Sequence, residues 1–205
     1  MKVLVVTGGI GSGKSLVCSI LNRKYGIPVY EADKRAKELY TKVPSMLDEI
    51  ERALGVSLRD SGGIFLPAVL AEVIFNDACA LNTVEEILFP VLKNDFQSWA
   101  ESCENDILAF ESATVLEKPQ FADFGDFVLL VSAPASLRKE RAMTRDHVAE
   151  EKIISRIDAQ PLMNSLSSGD SHPRVDYVLE NTSSEEVLMQ KVDEFIENTG
   201  ITKML

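Results

Sequence analysis

Apolar and polar positions along this chain follow two alternating periods. Short apolar runs bounded by polar, Gly or Pro residues predict buried strands at 2–7, 28–31, 107–110, 127–132 and 175–179. Between them, apolar residues recurring every three to four positions predict helices at 14–24, 34–40, 44–54, 66–75, 84–103, 137–145, 149–159 and 185–197. Two helix starts carry a capping pattern, Asn82 with Glu85 and Ser183 with Glu186. Pro90 falls inside 84–103 and predicts a kink or a break into two helices, since it lacks an N–H and its ring crowds the turn before it. Strands alternating with helices predict an α/β fold built on a parallel five-stranded sheet.

The second and third strands lie about 75 residues apart, far more than a βαβ crossover needs. The interval is filled with helix patterns, so 33–103 reads as a helical insert in a core made of 1–32 and 104–205. Gly62-Gly63 marks a turn inside the insert, and the polar, Gly/Ser-rich stretch from Leu162 to Arg174 reads as a mobile loop.

Chemistry enters directly behind the first strand. Gly8-Gly9-Ile10-Gly11-Ser12-Gly13-Lys14-Ser15 fits G-x-x-x-x-G-K-[ST], a phosphate-binding loop in its required strand-to-helix setting. Glycines let the backbone approach an anion with no Cβ in the way. The amides of Gly11, Gly13, Lys14 and Ser15 can converge on phosphate oxygens at the positive end of the helix dipole. Lys14 supplies a point charge for the outer phosphates, and the Ser15 hydroxyl suits a Mg²⁺ ion. The loop predicts a nucleoside triphosphate site. A Gly-rich turn without a ligand is the plainer alternative.

Composition narrows the partners. The 205 residues are 45% hydrophobic and 26% charged, with a formal net charge of −11. That balance argues against nucleic acid or an anionic membrane as partner, because both demand clustered cations. The run from Val3 to Val6 is too short for a signal or membrane segment. Cys18, Cys79 and Cys103 are widely spaced and read as small buried hydrophobes in a reducing compartment, so the cytoplasm is the default location. His147 and His172 have no second ligand candidate at metal-binding spacing.

Three further groups fall where a parallel sheet places its ligands, past the C-terminal ends of strands. Asp33 follows the second strand and could accept the proton of an attacking hydroxyl, although Asp before a helix is equally a common N-cap. Glu111 closes the third strand and could hold Mg²⁺ through water or position an acceptor; on the residues alone, a solvent-facing strand end is the more ordinary reading. Arg138, Arg141 and Arg145 recur at i, i+3 and i+7, one helix face. Arg141 and Arg145 read as a phosphate clamp on a closing lid, against the plainer alternative of a solvated face paired with Glu140, Asp146, Glu150 and Glu151. Arg138 and Lys152 read as ordinary surface residues.

Taken in order along the chain, these segments resemble the dephospho-coenzyme A kinases. Thr7 to Ser15 is similar to that family's opening motif, and Asp33 matches its catalytic aspartate. Phe75-Asn76-Asp77 and Ile87-Leu88-Phe89-Pro90-Val91 resemble the segments that contact the coenzyme A moiety. Phe110-Glu111 resembles a strand end, Arg141 and Arg145-Asp146 the lid arginines, Arg156 to Gln160 the segment after them, and Asp176 to Asn181 the stretch that closes over adenine. Leu16 stands where threonine is usual and binds through its amide; Phe89 stands where a histidine usually precedes the proline; the family's lysine between Gln160 and Asp176 is absent. The resemblance implies a phosphate-loop nucleoside-triphosphate hydrolase fold with a helical acceptor-binding insert and a helical lid at about 138–165. It implies an ATP- and Mg²⁺-dependent phosphotransferase acting on the ribose 3′-hydroxyl of dephospho-coenzyme A, monomeric or weakly self-associating. Lys14, Asp33 and Arg145 would be catalytic. Gly11, Ser12, Gly13, Lys14, Ser15, Leu16, Arg141 and Asn181 would hold the nucleotide, Ser15 the metal, and Thr7, Asp33 and Glu111 the acceptor.

Alternatives remain at this stage. Another small-metabolite or nucleoside monophosphate kinase would share the fold. A GTP-dependent switch would use Asp60-Ser61-Gly62-Gly63 as D-x-x-G, but no Asn-Lys-x-Asp guanine motif accompanies it. A degenerate scaffold would not need Lys14, Ser15 and Asp33 intact.

Overall fold

Five strands, β1 (Lys2–Thr7), β2 (Val29–Glu31), β3 (Ile107–Glu111), β4 (Phe127–Ser132) and β5 (Tyr177–Glu180), form one parallel sheet in the order β2-β3-β1-β4-β5. These come from a computed structural model that describes residues 1–201. β1 sits at the centre because Leu4, Val5 and Val6 are apolar on both faces and wholly buried, the pattern of a sheet covered on both sides. In register, Val6 stands beside Glu111 and Leu129, so the ends of β1, β3 and β4 share one edge.

The helices in chain order are α1 (Lys14–Tyr25), α2 (Ala32–Lys42), α3 (Pro44–Leu54), α4 (Pro67–Asn76), α5 (Ala78–Glu101), α6 (Ala135–Asp146), α7 (Glu150–Asp158), α8 (Pro161–Ser167) and α9 (Glu185–Thr199). Contacts divide the chain into two units, Met1–Glu31 with Glu104–Leu205, and Ala32–Cys103.

In the first unit, Val17, Ile20 and Leu21 of α1 and Leu188, Val192 and Phe195 of α9 join Leu4, Val6, Leu129 and Val131 in one core. Full burial of each such side chain is worth about 1.5–3 kcal/mol. Elsewhere in this unit the rings of Tyr30, Phe110, Phe121 and Phe124 meet stacked, tilted or edge-on. A small separate core joins Ala142 of α6 with Ile153 and Ile157 of α7, and Ile10 of the glycine loop packs against it.

In the second unit, α2 to α5 bury Leu39, Met46, Leu47, Ile50, Leu70, Val84, Leu88, Phe89, Leu92 and Phe96, and Tyr40 stacks on Phe65 at 4.9 Å.

Several expectations need correction. α5 begins at Ala78, capped by Asp77, whose carboxylate accepts from the amides of Cys79 and Ala80; Asn82 is therefore an interior residue. It runs unbroken through Pro90, which is exposed. The N-cap position of α9 is Ser184, one residue past Ser183, and its side chain makes no capping bond to the helix backbone. The stretch from Leu162 is not all loop, since Pro161 starts α8 and buries Met163 and Leu166. Cys18 is buried, but Cys79 is exposed and Cys103 half-buried. Asp60 closes the turn at Gly62-Gly63: its carboxylate accepts from the amides of Gly62 and Ile64.

Candidate active site

The glycine loop connects the end of β1 to the start of α1, and its shape is dictated by what lies against it. Gly11 has φ 74, and a Cβ there would stand 2.1 Å from the main-chain oxygen of Arg138. Gly11→Ala therefore combines left-handed backbone strain with a clash against backbone that cannot swing aside. We expect it to lose roughly 2–4 kcal/mol and about 4–16 °C in Tm. Gly55→Ala is the control: φ is 67, nothing lies within 4 Å, and the loss should stay near about 1 kcal/mol. Equal Tm losses in calorimetry would show that the Arg138 contact does not shape the loop.

Lys14, the first residue of α1, is 8% exposed. Its ammonium donates to the Gly8 carbonyl at 2.8 Å and the Gly9 carbonyl at 3.4 Å, and stands 4.0 Å from Glu111 Oε1. Glu111 is itself 8% exposed. It is not the solvent-facing strand end that its sequence position suggests; parallel pairing with β1 and β2 brings it beside the loop. Behind it, burial and the Glu111 carboxylate push the Cys18 thiol well above its ordinary range, so Cys18 is inert packing.

Ser15 is exposed and shares a cavity of about 290 Å³ with Cys18, Ser19, Asn22, Val29 and Glu31. Leu16 is half-buried, and its amide already donates to Gly13 O at 3.0 Å, as the first bond of the helix. Thr7 and Ser12 are wholly buried, and neither hydroxyl has a partner among the described residues. Buried hydroxyls without a partner cost free energy and are uncommon, and these two flank the first residues of the glycine loop.

Asn181, just past β5, is 4% exposed. Its amide group donates to Ser12 O at 2.9 Å. Arg141 in turn donates to Asn181 O at 3.0 Å and Oδ1 at 3.3 Å. Both residues carried over as nucleotide contacts thus also tie α6 and β5 to the loop. Arg145 is exposed and donates through Nε and one terminal nitrogen to Asp146, which also accepts from Arg156. The bond to Asp146 raises the Arg145 pKa and the Glu111 charge adds to it, while Asp146 is held below the usual carboxylate range by Arg145. Arg145 is charged under all working conditions.

Asp33 is the second residue of α2, exposed, in the first helical turn. It is therefore not the residue before the helix that an N-cap requires. It belongs to the second unit and follows Glu31, the last residue of β2, by two positions. Lys152 lies exposed on α7, as a surface residue should.

Arg138 overturns its reading as a surface residue. It is 0% exposed and donates to Ile10 O at 3.1 Å, Ser167 Oγ at 3.2 Å and Asn164 Oδ1 at 3.1 Å. Gln160 completes the grip by accepting from the Ile10 amide at 2.8 Å. The stripe of three arginines is split: Arg138 shares its face with buried Ala142, four residues on, a signal the charge pattern concealed.

The comparisons with known proteins converge on one family. The family model for dephospho-CoA kinase matches residues 2–186. A dephospho-CoA kinase of Porphyromonas gingivalis is 40% identical over 167 residues, 82% of this chain and 81% of that protein. Among solved structures, TT1252 from Thermus thermophilus superposes with a TM-score of 0.79 at 26% identity, over 96% of this chain and 97% of that one. The dephospho-CoA kinase from Campylobacter jejuni superposes at 0.65 and 23% identity, over 96% of each chain, and supports the fold. A loop between β1 and α1 that buries its lysine against a strand-end carboxylate, in a chain matched across nearly its whole length, leaves one assignment: this protein belongs to the dephospho-CoA kinase family.

Proposed function

We propose that this chain transfers the γ-phosphoryl group of ATP to the ribose 3′-hydroxyl of dephospho-coenzyme A. The observation that carries this is Lys14, a buried ammonium held by loop carbonyls that a polyphosphate can replace, in a chain of this family. The amides of Gly11, Gly13, Lys14 and Ser15 cradle the phosphates at the head of α1, with Ser12 and Asn181 holding the loop's shape and the Leu16 amide kept by its bond to Gly13. Lys14 neutralises charge on the departing side, and Arg145, with Arg141 behind it, closes over the transferring group. Asp33 accepts the proton as the acceptor oxygen forms its bond to phosphorus and the bond to ADP breaks.

The residues also fit Mg²⁺. The Ser15 hydroxyl shares its cavity with the Glu31 carboxylate, oxygen donors suited to a hard cation that keeps most of its ligands as water and phosphate. When bound, the ion supplies charge neutralisation between the outer phosphates. Glu111, beside Lys14, positions that cation's neighbourhood or the acceptor. Ala32–Cys103 would carry the acceptor site. A cytoplasmic location is supported by three cysteines with no disulfide, and among the described residues no helix is long and apolar enough to cross a membrane.

The test is a mass-spectrometric assay with ATP, Mg²⁺ and a panel of dephospho-coenzyme A, AMP, CMP and small alcohols. Phosphorylation of dephospho-coenzyme A at least about a hundredfold faster than any other member is the expected outcome, since binding energy from the remote pantetheine arm should be realised in turnover. Preference for AMP, CMP or an alcohol would overturn the reading.

A further inference from the structure

Arg138 carries a role that the phosphate-loop pattern does not assign. Its guanidinium is fully buried, and its three acceptors, the Ile10 carbonyl, Asn164 and Ser167, are all neutral. No carboxylate lies within ion-pair distance of it among the described residues. Burial alone acts on its ionisation, lowering its pKa from a value so high that the group stays charged. A buried cation without a counter-ion is costly and persists where something repays it.

The surroundings indicate what repays it. The guanidinium lies directly against Gly9, where a Cβ would stand 2.6 Å from its central carbon. Gly9 has no left-handed φ, so what it supplies is the absence of a side chain. Gly11 accommodates the main chain of the same arginine. On the loop's other side Lys14 donates to the Gly8 and Gly9 carbonyls. The loop that offers its amides to an anion is thus backed by a fixed positive charge in a medium of low dielectric, where charge acts strongly.

We propose that Arg138 is a positioning residue for polyphosphate: a buried cation that holds the Gly9–Gly11 backbone in its binding shape, links it to α8, and is electrostatically completed by the nucleotide's phosphates. The proposal rests on the kinase reading and deepens it. The planar fork reaches its three acceptors from three separate nitrogens, a spread that the single nitrogen of a lysine cannot match, but a lysine would keep the charge. Geometry and charge can therefore be separated.

The experiment measures the binding of ATP and of inorganic tripolyphosphate to the parent protein, Arg138→Lys and Arg138→Gln by calorimetry at low and moderate salt, together with Tm and the KM for each substrate. Arg138→Gln should weaken tripolyphosphate about tenfold or more, a change of about 1.4 kcal/mol, and flatten the salt dependence. KM for ATP should rise while KM for the acceptor stays within about twofold. Arg138→Lys should stay within about threefold of the parent in tripolyphosphate affinity while melting at lower temperature. If Arg138→Gln binds tripolyphosphate as the parent does, or if a folded Arg138→Lys loses affinity as fully as Arg138→Gln, the arginine is a structural brace and the proposal fails. Should Arg138→Gln not fold, Arg138→Lys decides alone: tripolyphosphate affinity within about threefold of the parent supports the proposal, and a loss of about tenfold or more overturns it. A parent that binds no ATP would count against the kinase reading; an Arg138→Gln affinity equal to the parent's counts against Arg138 only.

Discussion

Lys14→Met lowers kcat by about a hundredfold or more while the protein still folds. The side chain stands at the start of α1 with its ammonium on the Gly8 and Gly9 carbonyls and 4.0 Å from Glu111. Two consequences of its loss must be weighed. The first is structural: a charged hydrogen bond contributes about 1.5–3 kcal/mol, so Tm should drop by roughly 3–12 °C in a chain of this size. The second is chemical: in the proposed function the group meets charge that develops on the oxygens of the transferring phosphoryl, where such an interaction is worth several kcal/mol. Unfolding would lower the active fraction without changing kcat per folded molecule. Active-site titration at a temperature well below the lowered Tm separates the two. A kcat per folded molecule within about fivefold of the parent would leave Lys14 a structural tether of the loop. The Tm loss alone would be unsurprising.

How much of this was legible from the residues follows from the range over which each signal acts. The strand of Val3 to Val6, the glycine spacing and Lys14 are local facts, written within a dozen residues, and the loop lies where they place it. The five parallel strands were equally legible, since short apolar runs alternate with helical patterns along the chain. What escaped was set by distant partners. Glu111 reads as a polar strand end until register brings it beside Val6 and Lys14. Arg138 reads as a surface cation because charge is usually solvated, and its partners Ile10, Asn164 and Ser167 lie 128, 26 and 29 residues away. α8 was hidden by its serines and by its length of 7 residues, although Pro161 at its first position with Leu162, Met163 and Leu166 behind it is a helical pattern. The cap of α5 was missed because Asp77 follows a Phe-Asn pair that belongs to the preceding helix. Local chemistry is encoded locally; burial of a charge is decided elsewhere in the chain.

Asp33→Asn is the sharper test of mechanism, because it keeps shape and polarity and removes only proton affinity. The residue is exposed in the first turn of α2, where a negative charge gains about 0.3–1 kcal/mol from the helix dipole. Its loss should therefore move Tm by less than about 4 °C. ATP affinity should stay within about threefold, since the proposed function seats the phosphates on the loop, α1 and Lys14. Turnover should fall by about a hundred- to ten-thousandfold, the usual worth of a general base, with kcat and kcat/KM falling together. The size of the loss also reports on timing. In a loose transition state the attacking hydroxyl keeps its proton until late, and the base then matters less than Lys14 or Arg145. A loss near the hundredfold end would match that picture; one near ten-thousandfold would mean that the proton is leaving as the new oxygen–phosphorus bond forms. Turnover within a few-fold of the parent, measured by rapid quench on protein shown to bind ATP, would remove Asp33 from the chemistry and leave it a residue that favours the helix end. The two outcomes differ by more than any effect on folding could mimic, because a shift of under about 1 kcal/mol leaves the folded fraction of a protein stable by 5–15 kcal/mol essentially unchanged.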